Sequence, residues 1–274
     1  MSLGVGIIGC GAIGTVLAQA IDNRQAGDVC LVMIYDKTAE KAKALSNKLK
    51  NKPKIAENPE ELIECRDIGL VIEAASQEAV ASFAVKTLKA GKDLLIMSAG
   101  ALVDSKLENE LRCVARENNR KVYVPSGAVA GLDGIRSSAI GGLKSVILTT
   151  RKPLEGLKEN KYFMEKYGNK RIEKPTVIYE GPAYEACRLF PANVNVAATV
   201  GLAGIGAEKT IVKIIADPRV KRNIHDVEVK GKFGELKVHV ENVPFTDNPK
   251  TSYLAALSAI ATLKKITDSL IIGT

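Results

Sequence analysis

Short apolar runs alternate with helical patterns over roughly the first 125 residues. Each run has the length of a β-strand and is apolar throughout, which is typical of a parallel sheet covered by helices on both faces. The runs lie at residues 5–8, 30–35, 69–72, 93–97 and 122–124. The helical patterns lie near residues 12–23, 38–50, 59–64, 77–90 and 104–118. This alternation predicts an α/β domain with a doubly wound parallel sheet and right-handed crossovers.

The pattern changes after Pro125, where a polar stretch over residues 152–174 separates longer extended segments. These segments lie at residues 145–150, 176–179, 226–230 and 235–241. The last two alternate polar and apolar residues around a glycine-containing turn, which predicts an antiparallel hairpin with one wet or interface-facing side. A helix is predicted from about residue 194 to residue 216. Together these elements predict a second, α+β domain over residues 126–246, which we expect to be the catalytic and dimerisation domain.

A last helix is predicted to begin at Asn248, since an asparagine cap followed by Pro249 in the first turn is a common helix start. We expect this helix, within residues 247–274, to pack back on the first domain, residues 1–125.

In the second domain, one sheet face must be covered by helices or by a partner, and the helix over 194–216 can cover only one face. A bare face would expose Val and Leu side chains in a continuous patch, so we expect a homodimer formed through this domain.

Composition narrows the class of protein. The chain has 274 residues, of which 46% are hydrophobic and 26% charged, as in a globular protein with a sizeable core. No apolar run approaches the roughly 20 residues of a membrane helix, and the first residues lack the basic region of a signal peptide. Five cysteines without paired spacing predict reduced thiols and no metal site. We therefore expect a cytoplasmic protein that does not bind a membrane.

The formal net charge of +8 could attract nucleic acid or an acidic small molecule. The basic residues are scattered along the chain, and it contains no Trp and few other aromatic residues that could stack on bases. We therefore expect no nucleic-acid partner and a small-molecule substrate.

A glycine-rich turn follows the first predicted strand. Its sequence, Gly9-Cys10-Gly11-Ala12-Ile13-Gly14, matches G-x-G-x-x-G and opens a predicted helix, and Asp36 ends the second strand about 20 positions farther on. In this context Gly9 permits the tight turn, Gly11 lets the backbone approach a pyrophosphate, and Gly14 lets the helix pack close to the strand. The pattern predicts a Rossmann-type dinucleotide-binding domain. The cofactor-binding residues assigned to it are Gly9, Gly11, Ala12, Ile13, Gly14 and Asp36.

The identity of Asp36 bears on the choice of cofactor. A carboxylate at this place accepts hydrogen bonds from the adenosine ribose hydroxyls and repels a 2′-phosphate. NAD is therefore favoured over NADP. Lys37 beside it weakens that preference, so the sequence leaves NADP open.

Two turns of small residues follow later strands of the same domain. Ala74, Ala75 and Ser76 come after the third strand, and Ser98 and Ala99 come after the fourth. Ligands of open α/β sheets bind beyond the carboxyl ends of the strands, and small side chains there suit a loop that passes the nicotinamide-side ribose. We expect both turns to contact the cofactor; the alternative is a plain turn before a helix.

The chain contains only two histidines. His239 lies within an alternating strand, where a surface or interface role is expected. His225 ends a polar, basic loop over residues 217–225, just before a strand. A group that can donate and accept protons near neutral pH belongs on such a connection rather than in an apolar core. His225 is therefore the candidate catalytic residue.

Two polar clusters at predicted helix starts are candidate substrate-binding groups. Asn193 and Asn195 lie at the start of the predicted helix; only one can be its cap, so the other is free to bind a ligand. Lys250, Thr251 and Ser252 offer a cation, two hydroxyls and helix N-terminal amides, which together suit a carboxylate. A plain capped helix is the alternative interpretation of both clusters.

A set of motifs spans most of the chain: residues 9–14, 73–76, 125–133, 190–198, 217–225 and 248–252. In these motifs the sequence resembles the L-aspartate dehydrogenase family. The resemblance implies reversible NAD(P)-dependent oxidative deamination of L-aspartate to oxaloacetate and ammonia through iminoaspartate, which some members feed into NAD biosynthesis. By the same resemblance, His225 matches the active-site histidine. Asn195, together with Ala128 or Ala130, matches cofactor contacts.

Other proteins share this two-domain plan. Sugar and inositol dehydrogenases carry Glu-Lys-Pro, with a catalytic lysine, after the strand that corresponds to residues 93–97. This chain has Met-Ser-Ala-Gly, residues 97–100, at that place. Homoserine dehydrogenase is a closer alternative because its domain layout is similar. A non-catalytic NAD-sensing protein is a third alternative, and it would need the glycine-rich turn but not His225.

Overall fold

The computed structural model describes residues 2–191, 195–244 and 252–273, and the chain divides into two units. Unit 1 comprises Met1–Pro125 and Ala256–Ile272. Unit 2 comprises Ser126–Ala255 and Gly273–Thr274. No helix in the described ranges is long and apolar enough to cross a membrane.

Strands and helices alternate along the first 125 residues. The strands are β1 (Leu3–Ile8), β2 (Val29–Tyr35), β3 (Lys54–Ile55), β4 (Leu70–Glu73), β5 (Asp93–Ile96) and β6 (Val122–Tyr123). The helices are α1 (Ala12–Asp22), α2 (Ala39–Lys48), α3 (Pro59–Glu64), α4 (Gln77–Lys89) and α5 (Ser105–Glu117). Within residues 2–125 the six strands are all parallel, in the order β3-β2-β1-β4-β5-β6. The predicted Rossmann-type sheet is confirmed, and β3 is an added two-residue edge strand.

The described part of unit 2 contains a mixed five-stranded sheet in the order β11-β10-β7-β9-β8. Its strands are β7 (Leu143–Lys152), β8 (Thr176–Pro182), β9 (Ile211–Ala216), β10 (Asn223–Gly231) and β11 (Gly234–Asn242). Its helices are α6 (Leu132–Ile140), α7 (Lys161–Tyr167), α8 (Ala183–Leu189) and α9 (Asn195–Ala203). β7 and β9 are parallel, and the other pairs are antiparallel. The predicted α+β class of this half is confirmed, including the β10–β11 hairpin.

The predicted helix over residues 194–216 is wrong. Helix α9 ends at Ala203, and the residues after it turn and form strand β9. Residues 211–216 are apolar enough for either structure, but in β9 they alternate between half-buried and buried positions and pair with β7 and β8. This pairing is a long-range interaction that the local apolar pattern does not reveal.

The last described helix, α10, spans Tyr253–Thr267. Its predicted start at Asn248 and Pro249 lies outside the described residues. Thr267 at its end accepts a hydrogen bond at Oγ1 from the backbone N–H of Asp28, 3.1 Å away, within unit 1.

One face of the second sheet forms an apolar core. Its side chains are no more than 1% exposed and belong to Val146, Leu148, Val212, Ile214, Val227 and Val229. Helix α9 packs against β7 and α6 against β10. The opposite face carries half-buried Ile147, Ile211, Ile215 and Ile224 beside charged residues such as Lys213 and Asp226. The expectation that a bare face would expose Val and Leu is therefore wrong, because these hairpin residues lie on the helix-covered side.

Candidate active site

The glycine-rich turn leaves open space before the N-terminus of α1. Gly9 has a φ of +107°, and a Cβ there would lie 2.5 Å from the carbonyl oxygen of Ala74. A Cβ on Gly14 would lie 1.9 Å from the carbonyl oxygen of Gly9. By contrast, a Cβ on Gly11 would meet nothing within 4 Å, and Gly11 is an N-cap without a side-chain hydrogen bond. A helix N-terminus with no side-chain cap beside open space suits the pyrophosphate of a dinucleotide.

Asp36 holds this turn in place. Its Oδ2 accepts a hydrogen bond from the backbone N–H of Cys10, 2.8 Å away, and its Oδ1 accepts one from the N–H of Thr38, 2.9 Å away. A carboxylate oxygen has two lone pairs, so each oxygen keeps capacity for a further donor such as a ribose hydroxyl. Burial raises the pKa of the neighbouring Cys10 thiol to about 12, with the charge of Asp36 adding to the effect, so this thiol stays neutral.

Glu73 is a residue of this region whose role sequence reasoning missed. It ends β4, and its side chain is fully buried. Its Oε1 accepts hydrogen bonds from Ala75 N (2.7 Å) and Ser98 Oγ (2.8 Å), and its Oε2 accepts one from Ser98 N (2.9 Å). Burial raises the pKa of the Glu73 carboxyl, and these hydrogen bonds oppose the rise. The available signal was an acidic residue at the end of an otherwise apolar strand.

Glu73 thus links the two turns of small residues that sequence analysis assigns to the cofactor. In the first, Ala75 is exposed, while Ala74 and Ser76 are half-buried. Ser76 Oγ caps α4 by accepting a hydrogen bond from the N–H of Ala79. In the second, the side chains of Ser98 and Ala99 are buried within unit 1, and the Ser98 hydroxyl donates to Glu73.

In unit 2, the structure corrects the expected setting of His225. It is the third residue of β10 rather than the end of a polar loop, and it is only 3% exposed. The strand begins at Asn223, and alternate residues from there face the buried side of the sheet. The His225 ring atom Nδ1 lies 3.0 Å from Thr150 Oγ1 on the paired strand β7. The imidazole is therefore held on the same face as the apolar core.

That buried face becomes polar at one end, where β7 and β11 end and β10 begins. We call this region the polar end; its buried members are Thr150, Lys152, Asn223, His225 and Asn242. Burial lowers the pKa of Lys152 to about 8. Burial, assisted by the charge of Lys152, lowers the pKa of His225 to about 3. The ordinary histidine pKa near 6.5 on which the sequence argument relied therefore does not apply.

Asn242 connects the polar end to the Ala128 turn. Its Nδ2 donates to the carbonyl oxygen of Ala128, 2.9 Å away. Its Oδ1 is buried and has no hydrogen-bond partner within the described part of the chain. Ala128 itself is buried, whereas Ala130 is exposed. An open, buried acceptor at this point can receive a donor from a ligand.

The remaining candidates fall into three groups. Asn195 is the half-buried first residue of α9. Ser252 is 5% exposed and forms an isolated bridge with Pro244. Asn193, Lys250 and Thr251 lie outside the described residues.

His239, which sequence analysis left as a surface or interface residue, is exposed on β11. Its Nδ1 contacts the carboxylate of Asp226, and its Nε2 lies 3.5 Å from Glu241 Oε1. The hydrogen bond with Asp226 raises the pKa of His239, in the opposite direction to that of His225.

Known protein families match residues in both units of the chain. A family model described as aspartate dehydrogenase, C-terminal, matches residues 133–266, and one described as homoserine dehydrogenase, NAD binding domain, matches residues 9–125. The L-aspartate dehydrogenases of Methanosarcina acetivorans and Methanosarcina mazei are each 49% identical over 274 residues, which cover 99% of this chain and 100% of theirs.

Solved structures of aspartate and homoserine dehydrogenases match this chain as well. The crystal structure of aspartate dehydrogenase from Thermotoga maritima is 28% identical, covers 100% of both chains and superposes with a TM-score of 0.79. A homoserine dehydrogenase from Thiobacillus denitrificans is 14% identical and superposes with a TM-score of 0.62, covering 97% of this chain and 73% of its own. At this level of identity the match shows a shared fold alone. The N-terminal half is a domain for a pyridine nucleotide cofactor. Since the similarity to aspartate dehydrogenases extends over both units, the chain belongs to the L-aspartate dehydrogenase family.

Proposed function

We propose that this protein is an oxidoreductase that acts on the CH–NH₂ group of L-aspartate. It interconverts L-aspartate with oxaloacetate and ammonia through iminoaspartate, with a pyridine nucleotide as redox partner. The observation that carries this proposal is the full-length similarity, 49% over 99% of the chain, to L-aspartate dehydrogenases. By the resemblance to the family, we assign the role of the active-site histidine to His225, which lies in the polar end of unit 2 beside Thr150.

The cofactor assignments follow the geometry of unit 1 and the family pattern. Gly9, Gly11, Ala12, Ile13 and Gly14 would hold the pyrophosphate, and Asp36 the adenosine ribose. The other residues assigned to the cofactor are Ala74, Ala75, Ser76, Ser98, Ala99, Ala128, Ala130 and Asn195. The bound nicotinamide supplies a hydride acceptor for the hydrogen on the substrate α-carbon.

His225 supplies the proton transfer. Its lowered pKa keeps the imidazole neutral at physiological pH, so it is ready to accept a proton. When Nδ1–H donates to Thr150 Oγ1, the lone pair on Nε2 remains available. That lone pair can take a proton from the substrate amine or from the water that hydrates iminoaspartate.

Steady-state assays test the proposed function directly. The purified protein is incubated with NAD or NADP and with L-aspartate, L-homoserine or myo-inositol, and NADH or NADPH formation is followed. Formation with L-aspartate alone supports the proposal. Formation with L-homoserine or the polyol contradicts it, and binding of the nucleotide without turnover of any substrate would favour a non-catalytic sensor.

We also propose NAD rather than NADP as the preferred cofactor, on account of Asp36. Asp36→Ala should weaken NAD binding by about 10- to 100-fold, the usual effect of losing hydrogen bonds to a charged group, and should improve tolerance of NADP. Because Asp36 also holds Cys10 N and Thr38 N, Asp36→Asn is the matched variant that keeps an acceptor but removes the charge. An unchanged NAD/NADP ratio of kcat/KM in both variants would refute this role.

A homodimer through unit 2 is a further part of the proposal. The sheet face opposite α6 and α9 carries half-buried Ile147, Ile211, Ile215 and Ile224, an apolar surface that a second copy can cover. Light scattering at micromolar concentration should give twice the chain mass of 29.3 kDa. Ile215→Asp should shift the mass toward one chain, and a wild-type protein that is monomeric under these conditions would count against the dimer.

A further inference from the structure

Lys152 is a buried cation for which the described part of the chain supplies no counter-charge. It is the last residue of β7 and is 3% exposed. Its Nζ makes no hydrogen bond or ion pair with any residue in the described ranges 2–191, 195–244 and 252–273, and burial is the cause of its lowered pKa. The acidic residue nearby in the fold, Asp217, accepts a hydrogen bond from Arg219 N and lies 4.0 Å from the Arg151 guanidinium.

A merely structural role does not account for this lysine. Burying an ammonium group without a partner opposes folding, and an apolar side chain of the same length would fill the space at lower cost. Natural proteins retain such unfavourable groups chiefly where they act on a ligand. The position of Lys152 therefore points to an anion that the described residues do not supply.

The surroundings of Lys152 place such an anion close to His225. Lys152 and Thr150 alternate onto the same buried face of β7, and Thr150 contacts His225. The charge of Lys152 also acts on the His225 ring. An anion that neutralises Lys152 must therefore lie next to the proposed base, and the dicarboxylate substrate is the anion that the reaction brings there.

We propose that Lys152 binds one carboxylate of the dicarboxylate substrate and so positions it beside His225. This inference rests on the proposed function. An ammonium group and a carboxylate form a charge-assisted hydrogen bond, which is strong when both are shielded from water. Binding also offsets the positive charge of Lys152, the smaller of the two causes that lower the pKa of His225, and so favours the protonated imidazole that forms during the reaction.

Lys152→Met tests the inference, because methionine is of similar length and carries no charge. For the NAD-loaded enzyme, the dissociation constant of succinate, measured by titration calorimetry, should rise by about 10- to 100-fold, and the KM for L-aspartate should rise with it. The melting temperature should stay the same or increase, since an unpaired buried charge has been removed. Lys152→Arg should restore part of the succinate affinity, because it keeps a cation.

Lys213→Met is the matched control. Lys213 lies on the same sheet, in β9, but its side chain is 37% exposed and pairs with Glu180 at 3.0 Å. Succinate affinity and KM should be unchanged in this variant.

Two results would overturn the inference. One is an unchanged succinate affinity in Lys152→Met. The other is a lower melting temperature of Lys152→Met together with weaker NADH binding, which would show a structural role. A loss confined to kcat, with succinate affinity intact and no rescue by arginine, would instead make Lys152 a proton-transfer group. The succinate titration needs no turnover. A wild-type protein that forms no NADH from L-aspartate would therefore refute the proposed function, while the comparison of succinate affinities would still decide the role of Lys152.

Discussion

Replacing His225 by alanine is expected to lower kcat for L-aspartate oxidation by about 10²- to 10⁴-fold, the usual effect of losing a positioned acid/base group. NADH binding, read by fluorescence, should stay near the wild-type value, because His225, a residue of β10, is not among the residues assigned to the cofactor. His225→Asn is the second variant, since it retains a polar side chain of smaller volume opposite Thr150 and limits any loss of folding.

The pH profile tests whether the imidazole is as deeply buried as the structure shows. Burial and the charge of Lys152 lower the pKa of His225 to about 3, so the free enzyme holds the neutral base throughout the range above that value. The kcat/KM for L-aspartate should therefore show no inflection near 6.5, where an exposed histidine titrates. A clear inflection there that disappears in His225→Asn would show that the imidazole is far more accessible to water than the structure has it.

The same pKa has a consequence for folding. In the unfolded chain His225 binds a proton below about 6.5, whereas in the folded chain it does so only near 3. Between these values the unfolded state binds more protons, so the free energy of unfolding contributed by this group falls as the pH is lowered from 6.5 toward 3. His225→Asn should flatten this part of the stability curve.

His239→Ala is the control for both measurements. His239 is exposed and pairs with Asp226 and Glu241, so its loss should leave kcat and NADH binding close to wild type. A His225→Ala enzyme with near-normal kcat would refute the catalytic assignment, while leaving the cofactor assignment intact.

Most of unit 1 could be predicted from the sequence because its signals are local. Helix α3 spans Pro59–Glu64, as predicted, since Asn58 caps it and Pro59 fits its first turn. The strands β4 and β5 are almost wholly buried, and a strand covered on both faces appears as a continuous apolar run. Glu73 was the exception, because only the three-dimensional structure brings Ser98 next to it.

Unit 2 was harder to predict because its signals are long-range. The apolar residues 211–216 form β9 only because β7 and β8 lie on either side, so no local pattern separates them from a continued helix. His225 and Lys152 looked like members of polar segments, and their burial follows from the register of β7 with β10. Polar residues placed at the end of an apolar sheet face cannot be told from solvated ones by sequence alone.

Glu73→Ala is expected to lower the free energy of unfolding by about 3–5 kcal/mol and to weaken NADH binding. Removing this carboxylate leaves the N–H and the hydroxyl of buried Ser98 without their acceptor, and each buried donor left unpaired costs about 1–3 kcal/mol. The N–H of Ala75 loses the same acceptor, but Ala75 is exposed and water can replace it. The two turns that these bonds join would then separate. Urea unfolding followed by circular dichroism, together with an NADH titration, measures both effects.

Glu73→Gln sharpens the comparison. The glutamine amide keeps one acceptor oxygen, but its NH₂ group faces N–H or O–H donors that a carboxylate oxygen accepts from in the wild-type protein. Glu73→Gln should therefore lower the free energy of unfolding by somewhat less than Glu73→Ala does. Glu64→Ala, at an exposed position at the end of α3, should change the free energy of unfolding by less than about 0.5 kcal/mol. If Glu73→Ala unfolds at the wild-type urea concentration and binds NADH normally, then the hydrogen bonds of Glu73 do not hold the two turns together. Any contribution of these turns to cofactor binding would then not depend on Glu73.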